Sequence, residues 1–86
     1  MAYEAGDRVI GNGVGNANVE NAAGTVLYIK STSNILVEFD TDIRGHDGIH
    51  ACPVGGKDGH CWYCMANMLT LVKVKTIAEV EVEGKL

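Results

Sequence analysis

An 86-residue chain has room for one domain, and a domain of that size buries only about 60–65% of its unfolded surface. Apolar residues at 47% and charged residues at 21% exclude a disordered chain. Seven Lys and Arg against eleven Asp and Glu give a formal net charge of −4, which lacks the basic face of a module that grips a nucleic-acid backbone.

Gly6-Asp7-Arg8-Val9-Ile10 pairs a turn with short apolar residues and predicts a first strand. Residues 11–23 follow, rich in Gly and Asn, with almost no large apolar side chain. They predict a loop with little to bury, in which substitutions between Gly11 and Asn21 leave stability nearly unchanged. Gly11, Gly13 and Gly15 invite a phosphate-loop reading. No strand-to-helix context and no Gly-Lys-Ser/Thr accompany them, so the bland loop is preferred.

Gly24-Thr25-Val26-Leu27-Tyr28-Ile29-Lys30 is dense in β-branched and aromatic residues and predicts a strand. A polar turn at 31–34 leads to a second strand. There Ile35, Val37 and Phe39 share one face, and Glu38 and Asp40 share the other. These two strands predict a hairpin. A long glycine-rich loop over 41–59 comes next, then a strand-like run at 60–65. Ala66-Asn67-Met68 has the length of one helical turn before a last strand from Leu69 to Val74. Short strands between turn clusters predict an all-β fold, a small barrel or sandwich of about five strands with one long irregular loop.

The tail alternates. Lys73 and Lys75 are followed by Glu79, Glu81 and Glu83, with Val80 and Val82 between them. A solvated acidic edge strand explains this pattern. So does pairing of a Lys strand with a Glu strand between two chains, which makes a homodimer through residues 75–86 the alternative. The division is therefore a domain over 1–74 and an acidic strand or tail over 75–86.

His46, His50, Cys52, His60, Cys61 and Cys64 lie within nineteen residues. Zinc takes four nitrogen or sulfur ligands in a tetrahedron. Cys61 and Cys64 have chelate spacing, but on a strand they point to opposite faces and cannot share an ion. A zinc site would instead draw on His46, His50, Cys52 and His60. It is set against a reading with no cofactor, in which the cysteines pack as small hydrophobes. A cysteine nucleophile with a nearby histidine has no local signature here, so no enzymatic chemistry is expected. Trp62 and Tyr63 alternate like the cysteines. The preferred assignment is Trp62 inside and Tyr63 in a groove, and the alternative buries most of both. Asp40, Asp42, Asp47 and Asp58 flank the loops and form an acidic rim that steers a basic partner or is simply solvated.

The order Gly6-Asp7-Arg8-Val9, Gly24-Thr25-Val26, Val37-Glu38-Phe39-Asp40 and Leu69-Thr70-Leu71-Val72 resembles an SH3-like barrel of the Mind bomb/HERC type. His46-Asp47-Gly48 and Gly56-Lys57-Asp58-Gly59-His60-Cys61-Trp62-Tyr63 look like small proteins common in bacteriophage genomes. The resemblance covers about residues 6–72. The Cys52-Pro53-Val54-Gly55-Gly56 stretch, Cys64 and the tail from Lys73 depart from it. It implies a non-enzymatic, protein-binding module, a phage accessory protein that binds and modulates a host factor such as a defence nuclease. Partner contacts are expected at Tyr63, Asp42, His46, Asp47 and Asp58. The competing class is a zinc-stabilised structural or nucleic-acid-associated domain. With an odd number of cysteines and no basic-then-apolar leader, the expected location is the cytoplasm, that of the host if phage-encoded, with no membrane partner.

Overall fold

A computed structural model describes residues 3–49 and 53–72. His50, Cys52 and the tail over 75–86, with the dimer reading attached to it, lie outside the described residues. The described chain is all-β. Its strands are β1 (Arg8–Gly11), β2 (Ala23–Ser31), β3 (Asn34–Phe39), β4 (Cys61–Cys64) and β5 (Leu69–Val72). They form one antiparallel sheet in the order β4-β3-β2-β1-β5. Two single 3-10 turns interrupt them, at Ala17–Val19 and Ala66–Met68.

The hairpin predicted over residues 24–40 is present as β2 and β3, with Ser31 opposite Asn34 across a two-residue turn. The turn is supported by Ser31 Oγ, which accepts the Ser33 N–H at 3.2 Å. The helical turn expected at Ala66-Asn67-Met68 is present as a 3-10 turn. On β3 the alternation holds, and Ile35, Val37 and Phe39 enter the main core. Val9, Val26, Cys64, Met68 and Leu69 join them, with Trp62 packed half-buried against the same side.

The barrel expectation meets a difference. The hydrogen-bonded order ends at β4 and β5, which share no ladder among the described residues. The sheet is nonetheless curled. Cys64 ends β4 and Leu69 begins β5, five residues later, at opposite ends of that order. Four flat strand spacings would put these edges about 19 Å apart. Five residues reach at most about 17 Å extended, and less through a 3-10 turn. Curvature must make up the deficit. Tyr3 ties this crossing down, its hydroxyl donating to the Leu69 carbonyl at 2.9 Å.

Residues 11–23 correct the sequence reading. Val19 is fully buried in the main core, so the segment does have something to bury. Asn16 caps the 3-10 turn by accepting the Asn18 N–H at 3.0 Å, and Asn18 Nδ2 donates to the Ile43 carbonyl at 3.1 Å. Gly11 packs so closely on Val19 that a side chain there would meet the Val19 carbonyl. The polar residues shape the turn, and Val19 fills the core while Val14 stays exposed.

The outer face of the sheet is covered as well. Leu36 and Cys61 are fully buried there, with Leu27, Tyr28 and Tyr63 packed around them. The register between β2 and β3 shifts between Val26 and Tyr28, so Leu27 and Tyr28 both serve this outer cluster. A bulge of this kind sets two residues against one partner. Val26 and Ile29 on either side still pack with the main core.

Candidate functional site

What covers the outer face is the long loop between Phe39 and Cys61. Its backbone follows a series of short side-chain turns. Asp42 Oδ1 accepts the Arg44 N–H at 2.7 Å, His46 Nδ1 accepts the Gly48 N–H at 2.9 Å, and Asp47 Oδ1 accepts the Ile49 N–H at 3.0 Å. Asp and Asn make such turns because a short acceptor reaches the amide two residues on; here a histidine does the same between two aspartates.

The loop is then fastened to the sheet at several points. His46 exchanges both backbone hydrogen bonds with Cys61, each 2.9 Å, and so occupies part of the outer edge of β4. The Ile43 and Gly45 amides both donate to the Gly59 carbonyl, at 3.0 and 2.9 Å. Ile43 itself is buried in the main core. The Gly56 amide donates to the Asp47 carbonyl at 2.8 Å, holding the two limbs together. From the sheet, Glu38 Oε2 accepts the Lys57 N–H at 2.7 Å, and the Tyr63 hydroxyl donates to the Gly48 carbonyl at 2.5 Å.

Two glycines allow this close seating. Gly48 has φ +80°, and an added Cβ would lie 2.6 Å from a Leu36 methyl. At Gly56 a Cβ would lie 2.4 Å from Glu38 Oε2 and 2.7 Å from Cys61 Sγ. In the glycine-rich loop these two positions let backbone rest directly on side chains.

Of the residues expected to meet a partner, Asp42, His46 and Asp47 spend an acceptor on the loop's own backbone, and Tyr63 clasps Gly48. Asp58 is exposed beside Lys57. Asp40 is drawn out of the acidic rim by Arg8, whose guanidinium meets it in two hydrogen bonds of 2.9 and 2.5 Å. That contact holds the Asp40 carboxyl below its usual range and the Arg8 guanidinium above its own. The His46 ring lies 4.9 Å from the Tyr63 ring and 5.7 Å from the Trp62 ring, so it stands beside both aromatics at the strand edge.

On either side of residues 50–52, which lie outside the described residues, the loop exposes apolar side chains. Ile49 is 61% exposed and Val54 42% exposed, and Pro53 is exposed next to Val54. A Cβ on Gly55 would lie 3.6 Å from Ile49 Cβ, which places the two limbs of the tip side by side. The sequence reading missed Ile49 and Val54, because an isolated apolar residue in a polar loop carries no periodic signal.

The cysteines of β4 face apart, as strand alternation predicts: Cys61 in the outer cluster, Cys64 in the main core. Three residues of strand separate their Cα atoms by about 10 Å, beyond the roughly 7 Å limit for a disulfide. Burial pushes the Cys64 thiol up to about 12. Burial, then the nearby Glu38 carboxylate, also pushes the Cys61 thiol up. Both shifts act against thiolate formation, which a nucleophile or a zinc ligand requires.

In the zinc set, His50 and Cys52 lie outside the described residues. His46 uses Nδ1 as an acceptor, so its neutral ring carries the proton on Nε2. His60 is the reverse: its Nδ1 lies 2.8 Å from the Phe39 carbonyl, which only accepts, so Nδ1 donates. His46 would have to give up its Gly48 contact to offer Nε2 to a metal. Among the described residues no three His, Cys, Asp or Glu side chains gather as a metal-holding group, and no helix is long and apolar enough to cross a membrane. Comparisons with protein families, with curated proteins and with solved structures gave no match to this chain.

Proposed function

We propose that this chain is a non-enzymatic protein-binding module that presents the tip of its long loop to a partner. The observation that carries the reading is a loop fastened to the sheet at several points that leaves the apolar side chains of Ile49 and Val54 exposed. Ordering a loop against a sheet costs conformational entropy. A loop already ordered does not incur that cost again on binding. Rigid loops with a few apolar anchors inside a polar rim are a common arrangement of recognition surfaces.

Asp47, whose carboxylate accepts the Ile49 N–H, and the exposed Asp58 add negative charge to the loop and favour a partner that offers basic groups around an apolar recess. Tyr63 and His46 then act from beneath, by holding the loop in shape. The resemblance to the SH3-like barrel of small phage proteins supports the partner being a host protein, modulated or inhibited by binding, with a defence nuclease as the example. The five-stranded antiparallel order is compatible with that family reading.

The test is a comparison of wild type with the double variant Ile49→Asp/Val54→Asp in capture from a bacterial host lysate, read by mass spectrometry. Proteins retained by wild type and lost by the variant, with melting temperatures within about 2 °C of each other, are the expected result. Identical retention by both would overturn the reading, as would no specific retention by either.

A further inference from the structure

We propose that the long loop carries a pH-sensitive latch: protonation of His46 opens the turn over His46-Asp47-Gly48 and loosens the loop beside it, while the sheet stays closed. His46 Nδ1 accepts the Gly48 N–H at 2.9 Å. A neutral imidazole has one acceptor nitrogen, and a protonated one has none. Aspartate or asparagine makes this kind of turn throughout the neutral range. Histidine makes it only while uncharged, and histidine changes charge between about pH 5 and 8. The contact is therefore intact above that range and lost as pH falls through it. Gly48 is buried, and a buried N–H that loses its acceptor is costly until the backbone moves to meet water.

The surroundings keep the charged ring in place, so the cost falls on the turn. The ring lies 4.9 Å from the Tyr63 ring and 5.7 Å from the Trp62 ring, distances at which an aromatic group attracts a cation. The backbone bonds of His46 to Cys61 do not involve the ring and survive its protonation. The titratable groups around it are Asp47 in the loop, Cys61 and Tyr63 on β4, and Glu38 opposite Cys61 on β3. Lys57 and Asp58 are exposed on the returning limb. Carboxylates ordinarily titrate below the histidine range, and thiols, phenols and amines above it. His60 provides the contrast. Its Nδ1 donates to the Phe39 carbonyl, which a neutral and a protonated ring can both do. Acidification thus spares the fastening at His60 and releases the one at His46. Two further contacts move with the turn: the Gly48 carbonyl accepts the Tyr63 hydroxyl, and the Asp47 carbonyl accepts the Gly56 amide. The device does not depend on what the loop binds.

Amide hydrogen exchange, followed by NMR on the full chain in buffer containing EDTA, tests this at about pH 7.5 and about pH 5.5. Rates are expressed relative to an unstructured peptide, so that the intrinsic pH dependence of exchange cancels. Protection at the Gly48 amide is expected to fall about fivefold or more at the lower pH, while protection across β2 and β3 changes by less than about twofold. The fall should follow the titration of the His46 ring, read from its own carbon-bound protons, and not that of His50 or His60. His46→Asn keeps an acceptor that does not titrate, so Gly48 in this variant should be equally protected at both pH values. Unchanged protection at Gly48 in wild type overturns the proposal. So does a fall that His46→Asn retains, or one that β2 and β3 share equally.

Discussion

Cys61 and Cys64 belong to one four-residue strand, yet they sit in different surroundings and respond to pH through different causes. For Cys64 the cause is burial alone. An unfolded thiol releases its proton near 9.0, while the folded one holds it to about 12. Above pH 9 the unfolded chain loses the proton first, so rising pH favours unfolding; the contribution is intact below pH 9 and is lost as pH approaches 12. Wild type should therefore lose about 2 kcal/mol more than Cys64→Ala between about pH 9 and pH 10.5, measured by urea unfolding. Equal slopes would mean that Cys64 is better hydrated than its position implies. Val19 makes the complementary point about a single buried residue in a polar loop. Its truncation to Ala should cost about 2 kcal/mol, read from the urea midpoint at unchanged m-value. The Ala substitution of its exposed neighbour Asn21 is not equivalent, since Asn21 holds φ 58°.

At the scale of elements, the loop over residues 40–60 is fastened more by backbone carbonyls and amides than by side-chain packing. Tyr63→Phe removes one donor from the Gly48 carbonyl and keeps the ring in place. It should cost about 1 kcal/mol and speed hydrogen exchange at the Gly56 amide, with β2 and β3 amides unaffected. Exchange that rises equally across the sheet would show that the loop and sheet open as one unit. The β2–β3 hairpin was legible in the sequence because β-branched residues, strict alternation on β3 and a polar turn all agreed. The opposed directions of Cys61 and Cys64 were legible for the same reason, since alternation needs only that the run be a strand. The seat of the loop was not legible. Its fastenings at Asp47, Gly48, Lys57 and Gly59 use main-chain groups, which every residue type possesses.

For the whole molecule, the one sheet supports apolar clusters on both faces, and only the inner one announced itself. The outer face of β3 and the residue after it read Leu36, Glu38 and Asp40, which looks like a solvated surface with one stray leucine. Its burial depends on a bulge in β2 and on glycines that let a distant loop lie flat, neither of which leaves a periodic trace. The short link from Cys64 to Leu69 was likewise read as a turn, whereas its brevity obliges the sheet to curl. The candidate surface shifted for a related reason. Aspartates and a histidine in a glycine-rich loop suggest contacts with a partner, yet Asp42, His46 and Asp47 are engaged with the loop itself. The large apolar residues exposed among the described residues of that loop are Ile49 and Val54.

The bulge between Val26 and Tyr28 has a further consequence for how such a protein can vary. One extra residue on the outer side of β2 supplies both Leu27 and Tyr28 to the loop's seat, while Val26 and Ile29 keep their inward places. A single-codon insertion into a regular strand is enough to produce that difference. Inner packing and outer display are thereby decoupled: the tip can be rewritten, lengthened or exchanged for another while the hairpin beneath it keeps the same interior.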